Sequence, residues 1–299
     1  MSGINTNRTN ITLPTEVSAE ILQKTQGASA VMALATQIAL PGRGLTIPVI
    51  SGDPEAAWVD ETNPKPVSNP TLTTKIMQGY KLAVIVPFSD EFARDARALY
   101  DALIARLPGA LALKFDQTVF HGTAPGSNFD TFAAVTAQSI SGSGDSPVYS
   151  ALVAADTDVA NNGGILNGFA MSPQAKGELL SALDGDGRPL FINNVAEGAV
   201  PRLIGAPVAY TKGAYKAGSA ASGSDPAVPD VIGFAGDWTQ AMYGTVEGVR
   251  IDMSNQATLT IGNAQVNLWE RNMFAVRAEV EVGFRADTAC FNKIVRTHA

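Results

Sequence analysis

The sequence predicts an α+β protein, and three observations predict it. Residues 45–86 carry the period of strands, residues 89–122 the period of a long helix, and residues 147–210 alternate helix and strand before a strand-rich end at 231–295. With 299 residues, of which 45% are hydrophobic and 16% charged, the chain can bury a sizeable core or fill two modest domains.

The elements follow in order. The chain is polar to about Thr12, then residues 14–24 read as a short helix with Val17, Ile21 and Leu22 on one side, an arm that has little to bury by itself. Leu45, Ile47 and Val49 alternate with Thr46, Pro48 and Ile50, and a second extended run reaches Val86 through Ile76, Tyr80, Leu82 and Val84. Between these runs Pro64, Pro66 and Pro70 exclude regular pairing. The whole reads as a two-stranded arm with a proline-rich tip, costly to order unless a partner covers it.

Ser89 can cap the long helix, with Asp90 and Glu91 in its first turn. Apolar groups recur at Phe92, Ala96, Leu99, Leu103, Leu107, Leu111, Phe115 and Val119, while Pro108-Gly109 predicts a kink or break. A helix over 148–161, a strand over 168–171, a helix over 172–183 and a strand over 206–210 make an α/β lobe. The Gly/Ser-rich stretch 213–229 has the composition of a flexible insertion without a core.

Composition excludes several kinds of function. There are 21 Lys+Arg against 28 Asp+Glu, a net charge of -7, so there is no broad basic face for specific duplex binding. One cysteine, Cys290, forbids an internal disulfide, and with only His121 and His298 it cannot build a Cys/His zinc site. No signal peptide is read at Met1, and the apolar stretch 28–40 falls short of the roughly 20 residues a membrane span needs. Asp184-Gly185-Asp186-Gly187 lacks the later ligands of a calcium loop and reads as a turn; Cys290 reads as a small core residue, His121 as a helix-end group and His298 as part of a mobile tail.

A set of blocks in fixed order carries a family resemblance. Ala57-Trp58-Val59-Asp60-Glu61, Lys65-Pro66, Lys81-Leu82-Ala83-Val84 and Ser89-Asp90-Glu91-Phe92-Ala93-Arg94-Asp95 come first. They are followed by Phe120-His121-Gly122-Thr123, Met171-Ser172-Pro173, residues 183–190 and 203–208, Gly236-Asp237-Trp238 and residues 277–291. In this order they resemble the tailed-phage major capsid proteins of the Hong Kong ninety-seven type.

That resemblance implies a capsid fold with an N-terminal arm (1–44), an extended E-loop hairpin (45–87), a peripheral domain with a spine helix (88–122) and strands (246–286), an α/β axial domain (123–245), and a C-terminal axial segment (287–299). It implies self-assembly as hexamers and pentamers into an icosahedral shell around double-stranded DNA, located in the virion and assembled in the host bacterial cytoplasm. Its partners would be further copies of itself, a portal protein and a separate scaffolding or decoration protein, with no cofactor, no metal and no membrane. Trp58, Glu61 and Lys65 would make the intersubunit contacts of the E-loop.

The founding type of that family links a lysine to an asparagine of a neighbouring chain with help from a glutamate. Lys65, Asn272 and Glu279 fall at those places. The residues alone leave open that Lys65 is an exposed tip lysine, Asn272 a turn residue and Glu279 a surface carboxylate. On one continuous strand, the odd separation of Asn272 and Glu279 would put them on opposite faces unless the segment bends. Two other readings stand beside the capsid: an encapsulin-like shell around enzyme cargo, and a soluble α/β enzyme using Asp53, Glu55, Asp60 and Glu61.

Overall fold

The computed structural model describes residues 29–299 except 43, 53–55, 57, 60–64, 66, 68–70, 96, 142–146, 185, 192–201, 223–224, 263 and 299. The helix expected over 14–24 lies outside the described residues, as do Asp53, Glu55, Asp60 and Glu61.

A short helix, α1 (Ala30–Leu34), opens on Ser29, whose hydroxyl accepts from the Met32 N–H. Next come β1 (Thr36–Ala39), the arm strands β2 (Leu45–Gly52) and β3 (Thr71–Met77), and β4 (Tyr80–Ser89). The helical stretch is described as α2 (Asp90–Asp95), capped by Ser89 on the Phe92 N–H, and α3 (Arg97–His121), on either side of residue 96. Of the kink or break expected at Pro108-Gly109, no break is present: α3 runs through Pro108. The α/β lobe follows as β5 (Thr136–Ser139), α4 (Pro147–Asn161), β6 (Gly168–Met171), α5 (Pro173–Ser181), β7 (Arg202–Leu203) and β8 (Ala206–Tyr210). Ser172 caps α5, and Pro173 occupies the first turn where its missing N–H costs nothing. The chain ends in β9 (Asp230–Gly236), β10 (Ala241–Thr245), β11 (Arg250–Ser254), β12 (Thr258–Ile261), β13 (Ala264–Asn267), β14 (Met273–Ala286) and β15 (Phe291–Arg296).

Two sheets organise these elements. In the first, β14 is the axis: β4 runs antiparallel along one edge, β10 and β11 pair successively along the other, and β1 joins β10 in parallel. The second has the order β5-β15-β9-β6-β8-β7. Residues 241–245, which the resemblance placed at the end of the axial segment 123–245, therefore pair in the first sheet. The pairing of Tyr243 with Phe284 and of Gly244 with Gly283 puts them there.

Helix α3 serves both sheets. Its Leu107 and Leu111 pack with Phe88, Phe274, Val276 and Val280 against the first sheet. One turn on, Phe115, Val119 and Phe120 enter an aromatic core between the sheets with Phe132, Phe234, Trp238, Phe284 and Phe291. Phe132 and Phe291 stack at 4.3 Å, and Phe132 meets Trp238 edge to face at 6.0 Å. A third cluster fills the space between α4, α5 and the second sheet through Leu152, Phe169, Leu179 and Ile294.

At the point where α3 passes from one core to the other it carries Asp116, fully buried. The carboxylate accepts from Ser29 Oγ at 2.5 Å, Ala30 N at 3.0 Å and Thr211 Oγ1 at 2.7 Å, so one side chain ties the entry of α1, the long helix and the segment after β8. Burial holds its carboxyl above the usual carboxylate pKa, with these hydrogen bonds opposing that rise.

The stretch 213–229 departs from its expected looseness. Gly213 and Ala214 are buried, and a Cβ on Gly213 would lie 2.6 Å from the Asp116 Cβ, so only glycine fits there. The remainder folds back through bridges Lys216–Val231, Ser219–Val228 and Ser222–Asp225. His298 also departs: its Nδ1 lies 2.6 Å from Asp230 Oδ1, which anchors the tail. Cys290 is buried with its Sγ 3.6 Å from the Asn162 carbonyl, and burial pushes the thiol up, as a core residue requires.

Candidate intersubunit contact sites

The arm is held at its base. Met77 is fully buried, and Gly283 of β14 admits the Gln78 carbonyl to 2.6 Å from where a Cβ would stand, so the arm backbone lies directly on the sheet. Arg285 then ties three segments together: Nε donates to the Ile76 carbonyl at 2.8 Å, Nη1 to Asp130 Oδ1 at 2.8 Å and Nη2 to Asn128 Oδ1 at 3.1 Å. Lys75 Nζ adds a bond to the Ala286 carbonyl at 3.0 Å.

Beyond that base β2 and β3 pair only with each other among the described residues, from Leu45–Met77 to Gly52–Thr71. Ile76 is half exposed, and at the tip Trp58, Lys65 and Val67 are exposed. A free indole with no covering group is a large apolar surface left in water. Of the three contact residues expected from the sequence, Trp58 and Lys65 stand on this tip, and Glu61 lies outside the described residues.

Asn272 and Glu279 occupy a different surface. Asn272 follows the 3-10 turn Trp269–Arg271 and adopts φ 50°, ψ 56°, the left-handed conformation that asparagine tolerates better than most residues. It is therefore a turn residue ahead of β14. The alternation of faces does not extend back to it, so the odd spacing carries no objection to the two acting together. Glu279 lies on β14 opposite Arg250 and Ala83 and is half-buried, with Oε2 3.5 Å from Arg277 Nε.

Arg277 is drawn the other way as well, its Nη2 2.6 Å from Asp252 Oδ2 across the strand pair. This holds the Asp252 carboxyl below its usual value: burial pushes it up, and hydrogen bonds from Arg277 and Arg250 outweigh that push. The sequence reading missed Arg277, Asp252 and Arg285, though the alternation of Arg277, Glu279, Glu281 and Arg285 with apolar residues was a readable sign of one polar face on β14.

The Asp184 turn is as expected: its Oδ1 accepts from the N–H groups of Asp186 and Arg188. Among the described residues no cluster of His, Cys, Asp and Glu is arranged to hold a metal, and no helix is long and apolar enough to cross a membrane.

Comparison with known proteins settles the family. The family model described as "Phage capsid family" matches residues 9–289. The chain belongs to the phage capsid family. A curated relative, the probable major capsid protein gp17 of Mycobacterium phage L5, is 30% identical over 303 residues, covering 96% of this chain and 90% of the relative. Among solved structures, a chain of Gordonia phage Cozz superposes with a TM-score of 0.73 at 21% identity, covering 91% of this chain and 87% of that one. A chain described as "Capsid of empty GTA particle computed with C5 symmetry" gives 0.64 at 16% identity, with 90% of each covered. The fold is the Hong Kong ninety-seven type capsid fold, and the family is structural, not enzymatic. Of the readings the sequence left side by side, the capsid is the one this family matches, not the carboxylate-dependent enzyme.

Proposed function

We propose that this capsid-family chain is the major capsid protein of a phage, assembling as hexamers and pentamers into a closed icosahedral shell around double-stranded DNA. The observation that carries the reading is the arm: it is anchored firmly at Arg285 and Met77 yet leaves Trp58 and Ile76 in water. Covering that surface with a neighbouring copy would remove the exposed apolar area and repay the cost of ordering the hairpin. In this assignment the β14 sheet and α3 form the peripheral domain, and the six-strand lobe with α4 and α5 forms the axial domain at the capsomer centre. A portal protein and a separate scaffolding or decoration protein complete the particle in the host cytoplasm.

The finer proposal is a covalent link between Lys65 of one chain and Asn272 of its neighbour. The neutral lysine amine attacks the Asn272 carboxamide carbon; the new C–N bond forms, the old one breaks, and ammonia leaves. Glu279 takes a proton from the attacking nitrogen once it has bonded to the carbon and passes it to the departing amide nitrogen. The exposed position of Lys65 and the left-handed turn at Asn272 support it, since both groups are presented outside regular pairing.

Negative-stain electron microscopy followed by a boiled denaturing gel tests both levels. Shells or capsomers are the expected image, and a ladder of bands above the single chain is the expected gel. Lys65→Ala should abolish the ladder while leaving particles. A ladder that survives the change rules out Lys65 as the nucleophile, and a compact monomer under all assembly conditions rules out the shell.

A further inference from the structure

The last two turns of α3 face a cleft that the assembly reading leaves unused. Lys114, Gln117, Thr118 and His121 line one wall, and Tyr215 and Lys216 line the other, enclosing about 440 Å³. In a chain with seven more acidic than basic groups, these walls hold two lysines and no carboxylate. Both lysines are exposed, and among the described residues neither has an ion-pair partner.

The neutral groups are arranged so that they do not compete for these charges. Thr118 Oγ1 donates to the Lys114 carbonyl and the Tyr215 hydroxyl lies 3.4 Å from Asp230 Oδ2, so both are already engaged. His121 is neutral at pH 7: burial lowers it to about 4, with the charges of Lys216 and Lys293 acting in the same direction, and its buried Nε2 has no hydrogen-bond partner. The cleft thus has a positive field with no internal counterion. Two point charges on separate walls suit a tetrahedral oxyanion, which offers oxygens in both directions, better than a planar carboxylate, which favours one forked donor.

We propose that this cleft binds a phosphate group, with Lys114 and Lys216 as its charge partners from opposite walls and the Gln117 amide as a neutral donor. The phosphate comes either from free inorganic phosphate or from the backbone of an enclosed nucleic acid. Only the second source rests on the shell reading.

The test uses the full unassembled chain at constant ionic strength. Its thermal midpoint is followed against inorganic phosphate, with chloride as the control, and a short fluorescent DNA duplex is titrated in parallel. Phosphate should raise the midpoint saturably, as a ligand specific to the native state must. The double variant Lys114→Gln/Lys216→Gln should weaken the apparent affinity about fivefold, the combined effect of two exposed charge contacts. Lys176→Gln, which removes an equal charge from α5, should leave it unchanged. If the double variant does not fold, Lys216→Gln alone, on the segment after β8, is read in its place and should give about half the effect on a logarithmic scale. Duplex that competes with phosphate and weakens in the same variants identifies the polymer backbone as the source; phosphate binding without duplex binding identifies the free anion. No saturable phosphate effect, or wild-type affinity in the variants, overturns the site.

Discussion

Two antiparallel strand pairs, β2–β3 and β4–β14, have similar sequence patterns and opposite fates. Along β4 half-buried and exposed residues alternate until Phe88 and Ser89 are buried, because α3 closes one face of the pair through Leu107 and Leu111. Among the described residues the arm pair lies on the sheet at its Met77 end and carries Thr74 and Ile76 into solvent. Even the covered pair keeps one outward apolar residue, Ile85, 47% exposed beside the 46% of Ile76. A strand pattern therefore states that a face will be covered without stating by which chain. The β4–β14 pair is completed within the molecule, whereas the described part of the arm pair beyond its Met77 end is left uncovered by its own chain.

The sharpest way to break that comparison is to attack the part that is complete. Phe132→Ala removes a ring in contact with Phe291, Trp238, Phe120 and Phe284, and should cost about 4 kcal/mol of unfolding free energy in denaturant titration of the unassembled chain. A loss below about 1 kcal/mol would mean that the aromatic core is not what joins the two sheets.

A smaller effect is expected at the anchored C-terminal tail. Burial pushes the Asp230 carboxyl up, but hydrogen bonds from Gly218, His298 and Arg296 outweigh that and hold it at about 2, below the ordinary 3.8. A depressed native value means stability present above the unfolded value and lost as pH falls toward 2, roughly 2 kcal/mol in all. Asp230→Asn should lose about that much at pH 7 and show a flatter decline of the thermal midpoint below about pH 4. An unchanged acid limb would show that this cluster contributes nothing to acid sensitivity.

The smallest effect on the single chain sharpens the comparison most. Trp58→Ala should change the stability of the unassembled chain by no more than about 0.5 kcal/mol, since the indole is exposed. On the intersubunit contact proposed for it, assembly measured by sedimentation should nevertheless fall. A variant that assembles like the wild type would remove Trp58 from the intersubunit surface.

Much of the local structure was legible beforehand. The strand over Gly168–Met171, the Ser172-Pro173 start of α5, the strand over Ala206–Tyr210, the Asp184 turn and the buried Cys290 all follow from period, capping and turn chemistry within a few residues. The candidate contact site was legible only through its resemblance to a family. Nothing local marks Trp58 as an exposed residue or Asn272 as left-handed, and Glu61 lies outside the described residues.

By itself the sequence determined the α+β class, the acidic balance, the absence of an internal disulfide, and an arm and a long helix in that order. The tertiary structure decided that β10 joins the first sheet, that α3 continues through Pro108 and that Gly213 must admit Asp116. It also decided that His298 closes on Asp230. The physical reason is one of range. Hydrophobic period and capping are written within one turn or one strand, whereas these features depend on groups tens of residues apart whose meeting is set by the packing of whole elements.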